Sequence, residues 1–126
     1  MKLYLDNSFL NRPFDDASIR LNRVEAEVLF FIVRLVRDKT LRLVNSSVIE
    51  YENSLNPFPS RKLFVERIMS LATEYQDYTD IIQERAVMLE KEFTIKPYDA
   101  RHIATAESAH VDFFITCDYT LTKKYK

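Results

Sequence analysis

The chain contains no glycine. Dinucleotide loops of the GxGxxG type and the Walker A phosphate loop need glycine so that the backbone can approach a phosphate closely. Both are excluded, and with them the nucleotide-cofactor enzymes built on these loops. Turns must rely instead on Asn, Asp, Ser and Pro. A single cysteine, Cys117, rules out an internal disulfide and a Cys-rich zinc site. Its neighbours in sequence, Thr116 and Asp118, offer no cation to stabilise a thiolate. No apolar run approaches the roughly 20 residues that span a bilayer. The longest, VLFFIV at 28–33, lies between Glu27 and Arg34. MKLYLD does not read as a signal peptide, because a charge ends the run too soon. Net charge is also nearly absent: 18 basic and 19 acidic residues leave −1. That total neither points to nucleic acid nor excludes it, since a basic rim would offset an acidic centre. Together these absences predict one domain over residues 1–126, in a reducing, cytoplasmic setting and without a membrane partner.

The remaining composition, 47% hydrophobic and 29% charged, is that of an ordinary globule with one core. KLYL at 2–5 reads as a strand leading to Asp6, Asn7 and Ser8, which suit a turn or helix cap. Pro13 then interrupts a short helix. Residues 17–38 form the strongest helix, with Leu21, Val24, Val28, Phe31, Ile32 and Leu35 at helical spacing. LRLV at 41–44 predicts a second strand, followed by a Ser-capped helix from about Val48. After the break at Asn56, Pro57 and Pro59, helices are expected from Lys62 to about Tyr75 and from Asp80 to Phe93. TIKPY reads as a short strand-like bridge. Asp99 then opens a helix whose Ala100, Ile103, Ala104 and Ala106 make a small apolar face. VDFFIT at 111–116 is the last strand, and Asp118 follows it. Strands alternating with helices predict an α/β fold with a mostly parallel central sheet.

The two end strands each close on an acid, Asp6 and Asp118. In an open parallel sheet ligands bind beyond the carboxyl ends of the strands. If the two strands are parallel neighbours, these carboxylates meet there. Gathered carboxylates repel one another unless a cation lies between them. Oxygen donors suit Mg²⁺ or Mn²⁺. Structural roles compete at each position: Asp6 and Asp99 are natural helix caps, and Asp118 can start a turn. For a fourth acid, Glu50 and Glu52 are both candidates. Ser47 and Glu50 fit a capping box, which would occupy Glu50. Glu52 shares a helical face with Val48, Ile49 and Leu55, and an inward carboxylate needs a partner or a metal. His102 and His110 read as surface or packing residues.

Three segments give a family resemblance. KPYDARHIATAESAHVDFFITCDYTL resembles the Asp-Ala opening, small-residue helix and Thr-x-Asp strand end of the PIN-domain nucleases, including the VapC-like toxins of bacterial toxin–antitoxin pairs. KLYLDNSFLNRPFDD is similar to the first strand of that family, and SSVIEYENS to its Ser-led helix with a Glu. The resemblance implies a three-layer α/β/α fold. It implies that Asp6, Glu52, Asp99 and Asp118 are metal ligands and catalytic acids, with Ser8 or Thr116 adding a hydroxyl and Glu50 as the alternative to Glu52. The chain departs from the pattern at Tyr119, where relatives often carry a further acid, and at His110, where glycine is common. It also stops at Lys126, where many relatives continue into another strand, so the C-terminal edge is expected to be shortened or trimmed.

The resemblance implies RNA as substrate, an antitoxin as partner, and room for a homodimer. Two divalent ions would activate water and stabilise the attacking and leaving oxygens, so no covalent nucleophile is needed. Arg12, Arg61, Lys62 and Arg101 are the expected phosphate contacts. Lys123, Lys124, Tyr125 and Lys126 form a basic tail that serves either RNA or solvation. Two rival readings stay open. One is a receiver-like Mg²⁺-binding regulatory module, which needs a Lys closing a later strand. The other is a PIN-like scaffold without catalysis.

Overall fold

The computed structural model describes residues 1–124, with 119 and 120 described by backbone alone. Tyr125 and Lys126 of the expected basic tail lie outside the described residues, as does the side chain of Tyr119. Strand β1 (Lys2–Leu5) runs into helix α1 (Asn7–Leu10), a 3-10 turn at Arg12–Phe14 that contains Pro13, and the long helix α2 (Arg20–Arg37). Strand β2 (Arg42–Ser46) leads to α3 (Ser47–Ser54) and α4 (Pro59–Met69). Strand β3 (Glu74–Gln76), α5 (Asp80–Phe93), α6 (Pro97–Ser108), β4 (Phe113–Ile115) and α7 (Tyr119–Lys124) complete the order. The sheet order is β3-β2-β1-β4, and all three pairings are parallel. This is the predicted α/β architecture.

Strand β1 sits between β2 and β4, with Leu3, Tyr4 and Leu5 matched to Phe113, Phe114 and Ile115. Successive strand residues point to opposite faces. Because Leu3, Tyr4 and Leu5 are all buried, both faces of β1 are covered by helices. One hydrophobic cluster joins Leu3 and Leu5 to Leu29, Ile32 and Val36 of α2 and to Val65 and Ile68 of α4. A second joins Ile82, Ala86 and Leu89 of α5 to Ala100, Ile103 and Ala104 of α6.

Three expectations are corrected. The helix predicted from Lys62 to Tyr75 ends at Met69, and Tyr75 lies in β3. Phe64, Ile68, Leu71 and Tyr75 keep helical spacing across the end of the helix and into that strand, so spacing alone could not divide them. TIKPY forms no strand: Pro97 opens α6 from an extended Lys96, as proline does at a first helical turn. Asp99 is therefore inside the first turn of α6 and does not cap it. Most consequential is α2. Its core face is Leu29, Ile32 and Val36, whereas Leu21, Val24, Val28 and Phe31 are exposed.

The lack of glycine leaves a mark. Lys39, Thr94 and His110 take left-handed backbone conformations, with φ of 62°, 54° and 56°. Each costs on the order of 1–2 kcal/mol for a residue with a Cβ. His110 is the position where glycine is common in the resembling family, and the turn there explains why.

Candidate metal centre

The parallel pairing of β1 and β4 brings the ends of both strands to one edge. The Asp6 amide donates to the Ile115 carbonyl at 2.9 Å, which extends the ladder one residue beyond β1. Asp6 is buried, and its carboxylate accepts three hydrogen bonds. Oδ1 accepts from the Asn7 amide at 2.8 Å. Oδ2 accepts from the hydroxyls of Ser8 at 2.9 Å and Thr116 at 2.8 Å. Ser8 and Thr116 thus both contact Asp6. Thr116 Oγ1 also accepts from the Asp118 amide at 3.0 Å, and Asp118 caps α7 by accepting from the Leu121 amide at 3.1 Å. The capping roles of Asp6 and Asp118 are real, and they fix the carboxylates at the sheet edge.

Glu52 enters from α3, which follows β2. Its Oε1 lies 2.8 Å from His102 Nε2, and the same nitrogen lies 3.8 Å from Asp6 Oδ1. Asp6, Glu52 and His102 present ligand atoms that all lie within 4.8 Å of one another. Glu50 turns away from them. It accepts from the Tyr75 hydroxyl at 2.5 Å and lines a different groove with Asn45, Asn53 and Lys62. The expected Ser47–Glu50 capping box does not form. Ser46 caps α3 by accepting from the Ile49 amide, and Ser47 accepts from the Tyr78 amide. Geometry therefore sets Glu52 beside Asp6 and leaves Glu50 to a structural bond.

Asp99 and Asp118 share a narrow cleft with Lys96 and Lys124. Burial, then the charges of Asp6 and Asp118, push the Asp99 carboxyl up to about 6, against weaker opposition from His102 and Lys96. Of the four predicted acids, Asp6 and Glu52 thus meet with His102, while Asp99 and Asp118 line an adjoining cleft, with Asp99 in the field of Asp6 and Asp118. Their mutual repulsion and their hard oxygen donors fit a divalent cation.

That shift gives a pH prediction with a definite sign. Between the ordinary aspartate value and about 6, the folded protein binds more of the Asp99 proton than the unfolded chain does. The stabilisation from this group is full below the ordinary value and is lost as pH rises through about 6. In EDTA, the melting temperature of the wild-type protein relative to Asp99→Asn is expected to fall across that window. A flat difference would mean that Asp99 is not electrostatically strained. Added Mn²⁺ should stabilise only above the window.

The expected basic contacts divide. Arg12 is bound by Asp15 at 3.0 Å and Glu25 at 3.1 Å. It shares an open groove of about 350 Å³ with Ser8 and Glu52. Arg61 packs over the rings of Phe14 and Phe58 and donates to the Phe14 carbonyl. Lys62 faces the Glu50 groove, away from the acids. Arg101 lies 5.2 Å over the Tyr98 ring, in a groove with Tyr51 and Tyr78. Sequence reading missed Lys96 and the site role of His102. The signal for His102 was its place three residues after Asp99, which puts both on one face of α6. Cys117, expected to lack a basic neighbour, has Arg12 beside it in space. Burial and Glu25 nevertheless push its thiol up to about 11, which keeps it a poor nucleophile.

An open parallel sheet with acids at the carboxyl ends of its strands defines an α/β protein with a candidate cation site at that edge. The family model of the PIN domain matches residues 3–126. The chain belongs to the PIN domain family. Its fold is similar to that of VapBC2 from Rickettsia felis, solved bound to a promoter DNA fragment. That match has TM-score 0.62 and 13% identity, over 99% of this chain and 94% of that one. It is also similar to FitAcB from Neisseria gonorrhoeae, with TM-score 0.53 and 13% identity over 86% and 83% of the two chains. DNA-bound VapBC from Salmonella typhimurium gives TM-score 0.52 and 19% identity over 92% and 84%. At such low identity these likenesses speak to the fold. A comparison with curated protein sequences finds no match.

Proposed function

We propose that this protein is a divalent-metal-dependent endoribonuclease of the VapC-like type, the toxin of a toxin–antitoxin pair working in the cytoplasm. The observation that carries this reading is the meeting of acids at the carboxyl edge of a parallel sheet: Asp6 and Glu52 present ligand atoms within 4.8 Å of each other and of His102, and burial, then the charges of Asp6 and Asp118, push the nearby Asp99 carboxyl upward. Carboxylates gathered this closely suit a positive ion. Asp6, Glu52, Asp99 and Asp118 are its proposed ligands. Mg²⁺ or Mn²⁺ held there would supply Lewis-acid stabilisation of a phosphodiester and a more acidic water. Ser8 and Thr116 keep Asp6 aimed by donating to one oxygen. Lys96, in the cleft with Asp99 and Asp118, is suited to draw a phosphate towards the acids. The groove of Tyr51, Tyr78, Tyr98 and Arg101 supports a single-stranded substrate, since bases stack on aromatic and guanidinium planes.

The partner reading rests on α2. Leu21, Val24, Val28 and Phe31 form an exposed stripe at helical spacing. Helix α2 carries Arg20, Arg23, Arg34 and Arg37 against Glu25 and Glu27, and Glu25 is paired with Arg12. A second copy would set these arginines against each other, so an amphipathic helix with acidic flanks is the better occupant. Such a helix is the proposed contribution of the antitoxin. Phe31→Glu is expected to leave RNA cleavage unchanged and to weaken inhibition by the antitoxin at least tenfold. Inhibition of the variant equal to that of the wild type, or a wild-type dimer that Phe31→Glu disperses in sedimentation, would refute this assignment.

The primary test is incubation with labelled single-stranded RNA in Mg²⁺, in Mn²⁺ and in EDTA. Cleavage in either metal and none in EDTA supports the reading. The PIN family match over residues 3–126 sets aside the receiver-like module. Metal binding without cleavage would favour the non-catalytic scaffold. No lysine directly follows β2, β3 or β4, which weighs against the receiver.

A further inference from the structure

We infer that Tyr4 and His102 form a buried positioning chain that holds Glu52 towards the cation, with His102 donating to the carboxylate and not ligating the ion. The inference rests on the metal site proposed above and assigns its support. Asp6 and Asp118 are anchored by neighbouring backbone and hydroxyl donors. Glu52 is different. It projects from α3 on a longer, more rotatable side chain, and among the described residues His102 is the hydrogen-bond partner of its carboxylate.

The polarity of that bond decides the role of the ring. A carboxylate only accepts, so the 2.8 Å contact requires a proton on His102 Nε2. Nδ1 lies 2.6 Å from the Tyr4 hydroxyl, which lies 2.9 Å from Ser46 Oγ. Ser46 Oγ also accepts from the Ile49 amide, so its own proton is free for Tyr4. With a neutral ring, Ser46 donates to Tyr4, Tyr4 to Nδ1, and Nε2 to Glu52. Each hydroxyl and ring nitrogen is then satisfied by one proton. If the Tyr4–Ser46 bond runs the other way, Nε2 still carries its proton. In both arrangements the Nε2 lone pair is unavailable to a cation.

The chain is rigid because it is dry. Tyr4, Ser46 and His102 are each fully buried. The Tyr4 ring stacks on Phe114 with centroids 5.5 Å apart and meets His102 edge-on at 5.6 Å. A group held this firmly behind a ligand typically changes metal affinity by about 10–100-fold when it is removed.

The test has two arms. In metal-free, ¹⁵N-labelled protein, long-range proton–nitrogen NMR should show His102 protonated at Nε2. A ring protonated at Nδ1 alone would overturn the inference. In the second arm, Mn²⁺ affinity is measured for wild type, Tyr4→Phe, His102→Leu and His102→Gln, with melting curves as controls. Tyr4→Phe keeps the ring packing and should weaken Mn²⁺ about tenfold. His102→Leu should weaken it further, and His102→Gln, which retains an N–H donor, should recover part of the loss. Unchanged affinity in folded Tyr4→Phe and His102→Leu would overturn the inference. So would nitrogen hyperfine coupling from His102 in the Mn²⁺ spectrum. Wild-type protein that takes up no Mn²⁺ sinks the nuclease reading and this inference together. Wild-type uptake with unaffected variants sinks this inference alone.

Discussion

Asp99→Asn is expected to abolish metal-dependent RNA cleavage and, in the same protein, to raise the metal-free melting temperature. The two effects share one cause. Asp99 lies in the first turn of α6, where the helix N-terminus favours a negative charge by about 0.3–1 kcal/mol. Its carboxyl is nevertheless pushed upward to about 6, so burial and repulsion from Asp6 and Asp118 outweigh that attraction. Asparagine keeps the volume and removes the repelled charge. The metal-free fold should gain stability, while a cation loses one of its four acids. Residues that merely support metal ligands typically cost about 10–100-fold when removed, so losing a proposed ligand should cost at least about 100-fold in cleavage. Labelled single-stranded RNA in Mn²⁺ measures the loss, and thermal melting in EDTA measures the gain. Surviving cleavage would point to a contaminant. A lowered melting temperature would show that Asp99 is structural first.

Leu29→Ala is expected to destabilise the protein by about 2–5 kcal/mol, while Val28→Ala changes stability by no more than about 0.5 kcal/mol. Leu29 is 0% exposed and packs in the cluster beneath β1, whereas Val28 is 44% exposed. The first change leaves a cavity. The second removes methyl groups that are already largely in water. The drop for Leu29→Ala should be roughly 8–19 °C in melting temperature for a domain of this size. Chemical denaturation of both variants measures the difference. Equal losses would place Val28 against the core and remove the exposed stripe on which the antitoxin surface depends.

The α2 comparison also shows what sequence pattern can and cannot decide. Leu21, Val24, Val28 and Phe31 repeat at helical spacing as well as Leu29, Ile32 and Val36 do. Spacing establishes that a helix forms. It does not choose between two apolar faces, because that choice depends on which surface the sheet offers. The order of strands and helices was legible for a related reason: strand runs, caps and prolines act within a few residues. The miss at β3 came where one short strand followed a helix without a punctuating residue that spacing could detect.

Within the site the division is similar. Sequence alone determined the α/β class, the acids at the ends of β1 and β4, and the PIN-type pattern around Asp99, because each is a local arrangement of residue types. The sequence favoured Glu52 over Glu50, but only the tertiary structure set Glu52 beside Asp6 and Glu50 against Tyr75, brought Asp99 within the field of Asp6 and Asp118, and set His102 between Tyr4 and Glu52. Tyr4 and His102 are 98 residues apart in the chain. Which side chains meet across such a distance is set by strand order and helix rotation, which are cooperative outcomes of packing the whole core.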